Sequence, residues 1–291
     1  MKKIGKRWRV GLILTLVAVF WSGAALASMV NMDVEVKYTV QFGKYGSSTF
    51  IDPYYGEIGS WVYGYAYYPY YDYSWASDYQ YGPPPLKSAV DAPGVQWLKK
   101  QSASMDWSDG QSLSSRHSLE GWGPNPSAKD ACDGYIYQDA GNYTYMYFTA
   151  PEDGFYLGMA TAEWSSRHTL DQKAGSSNQF YYLDGYGYLY GGFWYSTANG
   201  YGGAYYSKYP FQHYAYNGDC TPIPDFDYVD SDTLFMIFGA YLKNGDTVYF
   251  EGYDYSWYSG HTVATPVPAS LLLLGSGLAG LLLLQRRRPT Q

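Results

Sequence analysis

Turn signals between aromatic runs point this chain towards an all-β fold. Asn244-Gly245 separates residues 233–241 from residues 247–253, and apolar and aromatic residues recur in both runs. Asn and Gly tolerate the positive φ angles that a type I′ turn requires. The two runs are therefore predicted to pair as a β-hairpin.

Two similar signals lie upstream. The Pro-Glu-Asp-Gly sequence at 151–154 separates residues 143–148 from residues 155–162, and Asp184-Gly185 interrupts the segment 179–190. Asp and Gly each favour tight turns, so both signals predict further hairpins.

The composition favours strands over helices. Of 291 residues, 37 are tyrosine and 33 are glycine. Aromatic residues are enriched in strands, while Gly, Asn and Asp favour turns. Val34, Val36, Tyr38, Val40 and Phe42 alternate with polar residues, which is typical of a half-buried strand. The predicted fold class is all-β, with a β-sandwich or jelly-roll-like body and Tyr/Gly-rich loops.

The body is predicted to divide into an irregular region at 28–130 and a β-sandwich core at 131–263. The run 63–73 has almost no aliphatic residue to pack. Two interpretations stay open for it, edge strands with exposed tyrosines and a partly disordered loop. Residues 88–130 are predicted to form loops and short strands, with a short helix near 95–104.

The C-terminal residues 265–291 combine a proline pair, an uncharged leucine-rich run at 270–284 and three arginines. The prolines hold the entry extended. A helix over 270–284 would span roughly 22 Å, short of the ~30 Å hydrocarbon core, and it can insert if the bilayer thins and the arginines snorkel. The arginines would hold the C-terminus on the cytoplasmic side, with the preceding chain outside.

This tail resembles the VPLPA-type variant of the PEP-CTERM sorting signal, although Thr265 stands where valine is usual. The resemblance implies recognition by an exosortase, a membrane transpeptidase that cuts near the proline motif and delivers the protein to the cell surface or an exopolysaccharide matrix. An ordinary membrane anchor is the alternative. The matching residues are Pro266, Val267, Pro268, Ala269, Arg286, Arg287 and Arg288.

The N-terminal residues 1–27 are predicted to be a secretory signal peptide. Basic residues precede an apolar stretch at 10–20, and Ala25-Leu26-Ala27 supplies a small-residue cleavage site before Ser28. Signal peptidase and an exosortase are the predicted partners during export. The predicted location is the cell surface, outer membrane or extracellular matrix, after transient anchoring in the inner membrane.

The body between these ends is strongly acidic. Five of the 19 basic residues lie in the leader and three in the tail, which leaves 11 basic and 26 acidic residues and a net charge of −15. Such a surface argues against nucleic-acid binding. It favours solubility and divalent-cation binding.

The body contains two cysteines, Cys132 and Cys220. In an oxidising compartment they are predicted to form one disulfide. A metal site or a catalytic thiol is the weaker alternative, because neither cysteine belongs to a CxxC pair.

The acidic segment 225–232 is a candidate Ca²⁺ site, because hard cations prefer several carboxylate oxygens on a flexible loop. It lacks the spacing of an EF-hand, and a solvated acidic loop is the alternative. No other cofactor is predicted. The candidate ligands are Asp225, Asp227, Asp230 and Asp232.

Four tryptophans in Tyr/Gly-rich surroundings are candidates for stacking on sugar rings. Aromatic side chains offer apolar ring faces at low entropic cost, so polysaccharide is a predicted partner. The alternative is packing in the core or on a sheet face, which is the commoner fate of a single tryptophan. The candidates are Trp61, Trp75, Trp194 and Trp257.

A short repeat links two distant segments, since Ser-Ser-Arg-His-Ser-Leu-Glu at 114–120 recurs as Ser-Ser-Arg-His-Thr-Leu-Asp at 165–171. The favoured interpretation is two equivalent strands with Arg and His on a solvent face. The alternative is a paired anion or glycan site formed by Arg116, His117, Arg167 and His168.

The chain contains no G-x-S-x-G, HExxH or P-loop motif. Glu152, Asp153 and Glu163 are better explained by a turn and a strand face than as a glycosidase carboxylate pair.

Residues 148–156 and 241–249 resemble the F-x-A-P-x-x-G-x-Y strand and the L-x-x-G-D-x-V hairpin of C1q/TNF-like jelly-roll domains, which implies a β-sandwich. The predicted function is that of a non-enzymatic exported protein of the cell surface or polysaccharide matrix. The alternatives are a glycan- or Ca²⁺-binding jelly-roll module and a secreted polysaccharide-processing enzyme.

Overall fold

The described part of the chain folds into twelve antiparallel β-strands, which confirms the predicted all-β class. A computed structural model describes residues 28–67, 71–124, 132, 134–172, 178–198 and 200–264, and this part of the chain contains no helix. The strands are β1 (Met29–Lys44), β2 (Tyr55–Tyr67), β3 (Tyr71–Gly82), β4 (Leu86–Ala92), β5 (Leu98–Trp107), β6 (Ser112–Trp122), β7 (Gly134–Thr149), β8 (Gly154–Asp171), β9 (Asn178–Thr197), β10 (Gly200–Tyr216), β11 (Phe226–Leu242) and β12 (Thr247–Ala264).

The strands form two six-stranded sheets that pack face to face as a β-sandwich. In spatial order, sheet 1 is β11-β8-β1-β6-β5-β4 and sheet 2 is β10-β9-β12-β7-β2-β3. Residues before and after position 130 therefore contribute strands to both sheets.

Alternation of residue types explains how each strand joins the sandwich. In β1, Val34, Val36 and Val40 are buried between the sheets, while Asp33 and Lys37 point to solvent. Successive side chains of a strand face opposite sides, so one apolar set is enough to fill one half of the core. The strand predicted at 34–42 is confirmed and is longer than the pattern indicated.

Large aromatic side chains fill the core between the sheets. Trp107, Trp164 and Phe148 are almost completely buried, and Phe42 stacks on Tyr156 with ring centroids 5.4 Å apart. Burial of a large apolar side chain contributes roughly 1.5–3 kcal/mol to folding. Residues from both halves of the sequence therefore contribute to one core between the sheets.

The three predicted hairpins are wrong as strand pairings. The turn at 151–154 joins β7 in sheet 2 to β8 in sheet 1, and Asn244-Gly245 joins β11 in sheet 1 to β12 in sheet 2. Asp184-Gly185 lies inside the continuous strand β9. A turn signal predicts that the chain reverses, but the apolar faces that meet in the core decide which strands pair.

The two sheet-to-sheet turns hydrogen-bond to each other. The backbone N–H of Gly245 donates to the carbonyl of Ala150 at 2.8 Å, and the N–H of Ala150 donates to the carbonyl of Asp246 at 2.9 Å. The N–H of Asn244 donates to Asp153 Oδ1 at 2.8 Å. Gly245 has a φ angle of 88°, which glycine adopts without steric cost. The strongest turn signals of the sequence thus form two paired crossovers.

Hairpins form instead between β2 and β3, β4 and β5, β5 and β6, and β9 and β10. For residues 63–73, the interpretation as an edge strand is confirmed for residues 71–73, which begin β3, the last strand of sheet 2. Residues 63–67 end β2, which pairs with both β7 and β3 and is therefore not an edge strand. The helix predicted near 95–104 is wrong. Ala103, Met105 and Trp107 of β5 alternate into the core, which is the pattern of a strand.

The predicted disulfide between Cys132 and Cys220 is confirmed, with a Cα–Cα distance of 6.0 Å. Cys132 precedes β7, and Cys220 lies in the connection between β10 and β11. The bond therefore joins segments that are 88 residues apart in sequence.

Both predicted targeting segments lie outside the described residues. These are the signal peptide at 1–27 and the sorting tail, including Pro266, Pro268 and the helix at 270–284. Within the described part, no helix is long and apolar enough to cross a membrane.

Replacing Cys132 by Ser should lower the melting temperature by roughly 10 °C. The chain-entropy model gives roughly 4–5 kcal/mol for a loop of this length, and each kcal/mol corresponds to roughly 2–4 °C in a protein of this size. Calorimetry of the wild type and Cys132→Ser, each with and without a reductant, measures the effect. A reductant should lower the melting temperature of the wild type alone. Equal melting temperatures for both proteins would contradict a stabilising disulfide.

Candidate functional site

Aromatic rings cover the outward surface of sheet 2, which we call the aromatic face. Its strands repeat the pattern Tyr-x-Tyr, and a period of two places these residues on one side. The rings at outward positions are Tyr71, Tyr73, Trp75, Tyr79 and Tyr81 in β3; Tyr55, Trp61, Tyr63, Tyr65 and Tyr67 in β2; Tyr135, Tyr137, Tyr143, Tyr145 and Tyr147 in β7; Tyr249, Tyr253, Tyr255 and Trp257 in β12; Tyr182, Tyr186, Tyr188, Tyr190 and Trp194 in β9; and Tyr201, Tyr205, Tyr209, Tyr214 and Tyr216 in β10.

All four tryptophans predicted to stack on sugars lie on this face. Trp61, Trp194 and Trp257 are half-buried among tyrosines, and Trp75 is 59% exposed on the edge strand β3. The tryptophans of the core are others, Trp97, Trp107 and Trp164. The structure therefore brings the four candidates onto one surface, and sugar stacking by them stays a prediction.

Ring contacts between strands hold these side chains in place, and the contact of Trp61 reaches across β7 to β12. Trp61 stacks on Tyr253 with centroids 5.4 Å apart, and Trp194 stacks on Tyr205 at 5.9 Å. Trp257 meets Tyr186 edge to face at 4.6 Å. Such pairs contribute about 0.5–1.5 kcal/mol beyond burial of their area. The rings are thus ordered before any ligand arrives.

A glycine lets one indole lie close to the sheet. A Cβ atom at Gly141 would lie 2.1 Å from Cζ2 of Trp61, which is far inside van der Waals contact. Any side chain at position 141 would therefore displace the Trp61 indole. Gly141 thus keeps this ring low against the middle strands of the face.

Carboxylates lie among the rings and accept hydrogen bonds from tyrosine hydroxyls. Tyr143 donates to Glu57 at 2.6 Å, and Tyr145 donates to Glu251 at 3.0 Å. Burial, and then the nearby carboxylate, raises the pKa of both tyrosines well above the ordinary value. The hydroxyls therefore stay protonated at neutral pH.

Asp139 is the most deeply buried carboxylate of the aromatic face. It is 8% exposed, and its Oδ1 atom has no hydrogen-bond partner. Burial raises the pKa of Asp139 to about 6, and a hydrogen bond from the Tyr137 hydroxyl acts in the opposite direction. In the register of sheet 2, Asp139 lies between Trp257 of β12 and Tyr63 of β2.

The aromatic face carries no lysine or arginine at the outward positions that the structure describes, and its one described histidine, His261, contacts Tyr135 and Tyr182. Lys208 of β10 instead points to the neighbouring edge of sheet 1, where its Nζ lies 2.5 Å from Asp232 Oδ1. The acidic groups of the face are Glu57, Asp139, Asp184 and Glu251.

The outward surface of sheet 1 has a different character. A shallow polar trough of about 750 Å³ is lined by Arg116, Arg167, Asp33 and Glu35, among others. Arg116 lies 3.5 Å from Glu35, and Arg167 forms a bidentate pair with Asp227 at 2.8 and 2.6 Å. Exposed ion pairs of this kind contribute little stability. Both arginines already have acidic partners.

The repeated Ser-Ser-Arg-His segments do not place their histidines beside their arginines. Both interpretations from sequence were wrong for His117 and His168, which are buried in the core. Adjacent residues of a strand face opposite sides, so an outward Arg requires an inward His. Burial, and then the charge of His213, lowers the pKa of His168 to about 3.

A buried polar cluster that sequence reasoning missed links the two sheets. Asp254 of β12 accepts hydrogen bonds from Ser115 at 2.6 Å and Tyr38 at 3.0 Å. His117 Nε2 lies 2.6 Å from Asp254 without hydrogen-bond geometry, and His117 Nδ1 lies 2.9 Å from Ser256 Oγ. Ser, His and Asp meet here, but the side chains of His117 and Asp254 are 0% exposed. A substrate has no access to this cluster in the structure.

The four aspartates predicted to bind Ca²⁺ do not converge. Most of their segment is the start of strand β11 rather than a flexible loop, so its carboxylates point to opposite sides. Asp227 pairs with Arg167, Asp232 pairs with Lys208, and Asp225 accepts the backbone N–H of Gln172 at 2.6 Å. No group of three or more metal-ligating side chains is found among the described residues. The structure therefore does not support a Ca²⁺ site at Asp225, Asp227, Asp230 and Asp232.

No protein family and no curated protein matches this chain. Among solved structures, it shows a faint likeness to the C-terminal globular domain of an oligosaccharyltransferase from Pyrococcus abyssi, with 8% identity, a TM-score of 0.12, and coverage of 79% of this chain and 49% of that chain. A pilotin–secretin complex from ETEC gives 6% identity, a TM-score of 0.10, and coverage of 91% and 56%. The chain thus spans about half the length of these chains. At such TM-scores neither likeness supports an argument about fold or function.

Replacing Asp139 by Asn should raise the melting temperature at pH 8. The raised pKa means that the folded protein binds a proton more tightly than the unfolded chain, in which Asp titrates near 3.9. Stability therefore falls as the pH rises from about 4 to about 6, by an amount on the order of 3 kcal/mol, and stays lower above that range. A neutral Asn avoids this loss.

Thermal scans at pH 4 and pH 8 check this expectation. Asp139→Asn should exceed the wild type by several degrees at pH 8 and by little at pH 4. Glu57→Gln is the control, because Tyr143 already donates a hydrogen bond to Glu57. An Asp139→Asn protein that melts below the wild type at pH 8 would show that the carboxylate stabilises the fold.

Proposed function

We propose that this protein is an exported, non-enzymatic component of the cell surface or polysaccharide matrix that binds glycan chains through its aromatic face. The observation that carries the proposal is the continuous layer of half-exposed tyrosine and tryptophan rings across all six strands of sheet 2. Sugar rings have apolar faces that stack on aromatic rings, and their hydroxyls need hydrogen-bond partners beside the stack. Tyrosine hydroxyls and carboxylates supply those partners here.

The shape of the surface favours binding of a polymer over binding of a small molecule. Strands lie about 4.8 Å apart, so six strands give a width of about 24 Å, and the rings continue along the strands. Pockets for small molecules are instead concave and enclose most of the ligand. A broad layer of rings matches a long chain that makes many weak contacts.

The distribution of carboxylates favours binding over catalysis. Glu57 and Glu251 accept hydrogen bonds from tyrosines on an open surface, and Asp139 is nearly buried. A glycosidase needs two carboxyl groups that flank one scissile bond. The aromatic face offers no such enclosed pair among its described residues.

Charge disfavours a second copy of the chain as the occupant of this face. A two-fold contact would bury the carboxylates of both copies in one interface, with no lysine or arginine of the described face to compensate them. Glycan hydroxyls carry no charge and avoid this cost. A polysaccharide is therefore a better occupant of the aromatic face than a second copy of the chain.

The sequences at the ends of the chain support the proposed sorting, and the crossovers support the proposed jelly-roll-type fold. The resemblance to the PEP-CTERM signal implies exosortase sorting, and the disulfide is compatible with an exported protein. The two segments that resemble C1q/TNF-like domains form the crossovers between the sheets, and a jelly-roll-type sandwich is the fold that we propose for them.

Trp194→Ala and Trp257→Ala should each weaken binding of the full chain to insoluble polysaccharide. Loss of a stacked ring costs about 1 kcal/mol, which corresponds to roughly a fivefold loss of affinity. Co-sedimentation with cellulose, with chitin and with exopolysaccharide from the producing cells measures it. Phe235→Ala is the matched control, because Phe235 is a 56% exposed aromatic residue in sheet 1. Equal losses for all three variants would indicate non-specific adsorption and would contradict the proposal.

The sorting step predicts two processed ends. Protein recovered from cells and medium should begin at Ser28 and end near the motif at 266–269, with a mass that excludes residues 270–291. Intact-mass spectrometry measures both ends. A form that retains Arg286, Arg287 and Arg288 in every fraction would indicate a simple membrane anchor.

A further inference from the structure

The charges of the aromatic face select among glycans. Glu57, Asp139, Asp184 and Glu251 lie at its outward positions, and no lysine or arginine of the described strands lies there. A polysaccharide with carboxylate or sulfate groups would meet charges of its own sign. A polysaccharide with ammonium groups would meet opposite charges along its path.

Asp139 has the surroundings of a cation site. Its cross-strand neighbours are Trp257 and Tyr63, and Tyr137 lies two residues before it on the same face. Gly141 follows two residues after it and contributes no side chain. The Trp61 indole lies over Gly141 and completes a border of aromatic rings around the carboxylate, near the middle of a sheet whose central strands are β12 and β7.

The hydrogen bonding of Asp139 leaves one carboxylate oxygen, Oδ1, available to a further donor. The residue is 8% exposed, and its Oδ1 atom has no hydrogen-bond partner. No lysine or arginine of the described strands lies on this face, and His261 pairs with Tyr135 rather than with Asp139. A buried, unpaired carboxylate is costly. The tyrosines around it, which include Tyr253 and Tyr255, have pKa values raised chiefly by burial and stay neutral. A phenol cannot carry a positive charge, so these side chains can only donate or accept hydrogen bonds.

An ammonium group satisfies every one of these features. It donates a charge-assisted hydrogen bond to the carboxylate, and it is attracted to the π faces of neighbouring rings, more strongly where water is excluded. A sugar hydroxyl can donate one hydrogen bond but leaves the negative charge uncompensated. The site thus distinguishes an amine from a hydroxyl or an acetamide at the same position of a sugar.

We propose that the aromatic face binds amino-sugar polymers with free amines, and that Asp139 recognises their ammonium groups between Trp257 and Tyr63. This inference rests on the proposed glycan binding and adds the class of ligand. Stacking on the rings supplies binding to the sugar chain, and Asp139 supplies the preference for an amine.

Calorimetry of the full chain at pH 7 with two oligosaccharides tests the inference. The probes are a β-1,4-linked glucosamine hexamer and its fully N-acetylated counterpart, which share length, linkage and ring faces. The wild type should bind the amine form at least tenfold more tightly. Asp139→Asn should remove most of this preference while binding of the acetylated form is unchanged. Trp257→Ala should weaken the binding of both forms.

A charge-matched variant separates the site from general attraction to an acidic protein. Asp91→Asn removes the same charge from an exposed position of β4 in sheet 1, and it should keep the wild-type preference. Equal loss of preference in Asp91→Asn and Asp139→Asn would overturn the role of Asp139. Equal affinities of the wild type for the two hexamers would overturn the inference and leave glycan binding intact. Failure to bind either hexamer, together with no effect of the tryptophan variants on polysaccharide, would contradict the proposed function itself.

Discussion

The aromatic face depends on the burial of the opposite side of the same strands. Phe148, Leu189 and Phe250 are completely or almost completely buried, while their strand neighbours Tyr147 and Tyr190 stand on the outer surface. A shift of one residue in strand register would move every tyrosine of that strand into the core and every core residue to solvent. The hydrophobic core therefore sets the register, and the register sets the position of each ring.

The buried polar cluster adds specificity to this arrangement. Asp254 of sheet 2 is satisfied by Ser115 and Tyr38 of sheet 1, so it has its partners only when the two sheets face each other in one alignment. A slipped alignment would bury an unpaired carboxylate at a cost of several kcal/mol. The cluster thus opposes alternative packings that the apolar side chains alone would tolerate. Asp139 is the contrasting case, because its partner is not supplied by the fold.

Local patterns predicted the local features of the structure. Alternation predicted β1, the two cysteines of the body predicted the Cys132–Cys220 bond, and Tyr/Gly-rich surroundings identified four tryptophans that lie outside the core. The pairing of strands could not be predicted from turn residues, since the same Asn-Gly turn serves a hairpin or a crossover. The segment 226–232 was misread because its carboxylates were counted along the chain, whereas in a strand they divide between two sides.

Asp139 was missed for a related reason. It interrupts the run of outward tyrosines in β7, between Tyr137 and Gly141, and this break in the Tyr-x-Tyr pattern was the signal available. Its importance depends on Trp257 and Tyr63, which lie far away in sequence and become neighbours only through sheet pairing. A composition count records such a residue as one more surface acid.

The acidic start of β11 affects how copies of the protein can associate at high concentration. β11 is an edge strand of sheet 1, and an edge strand presents unpaired backbone groups to which another chain can add. Asp227, Asp230 and Asp232 place charges along that edge, and Lys208 joins it to the edge of sheet 2. A second copy that approached by strand addition would meet like charges at each step. The same carboxylates that do not converge on a cation therefore disfavour pairing of the β11 edges of two copies.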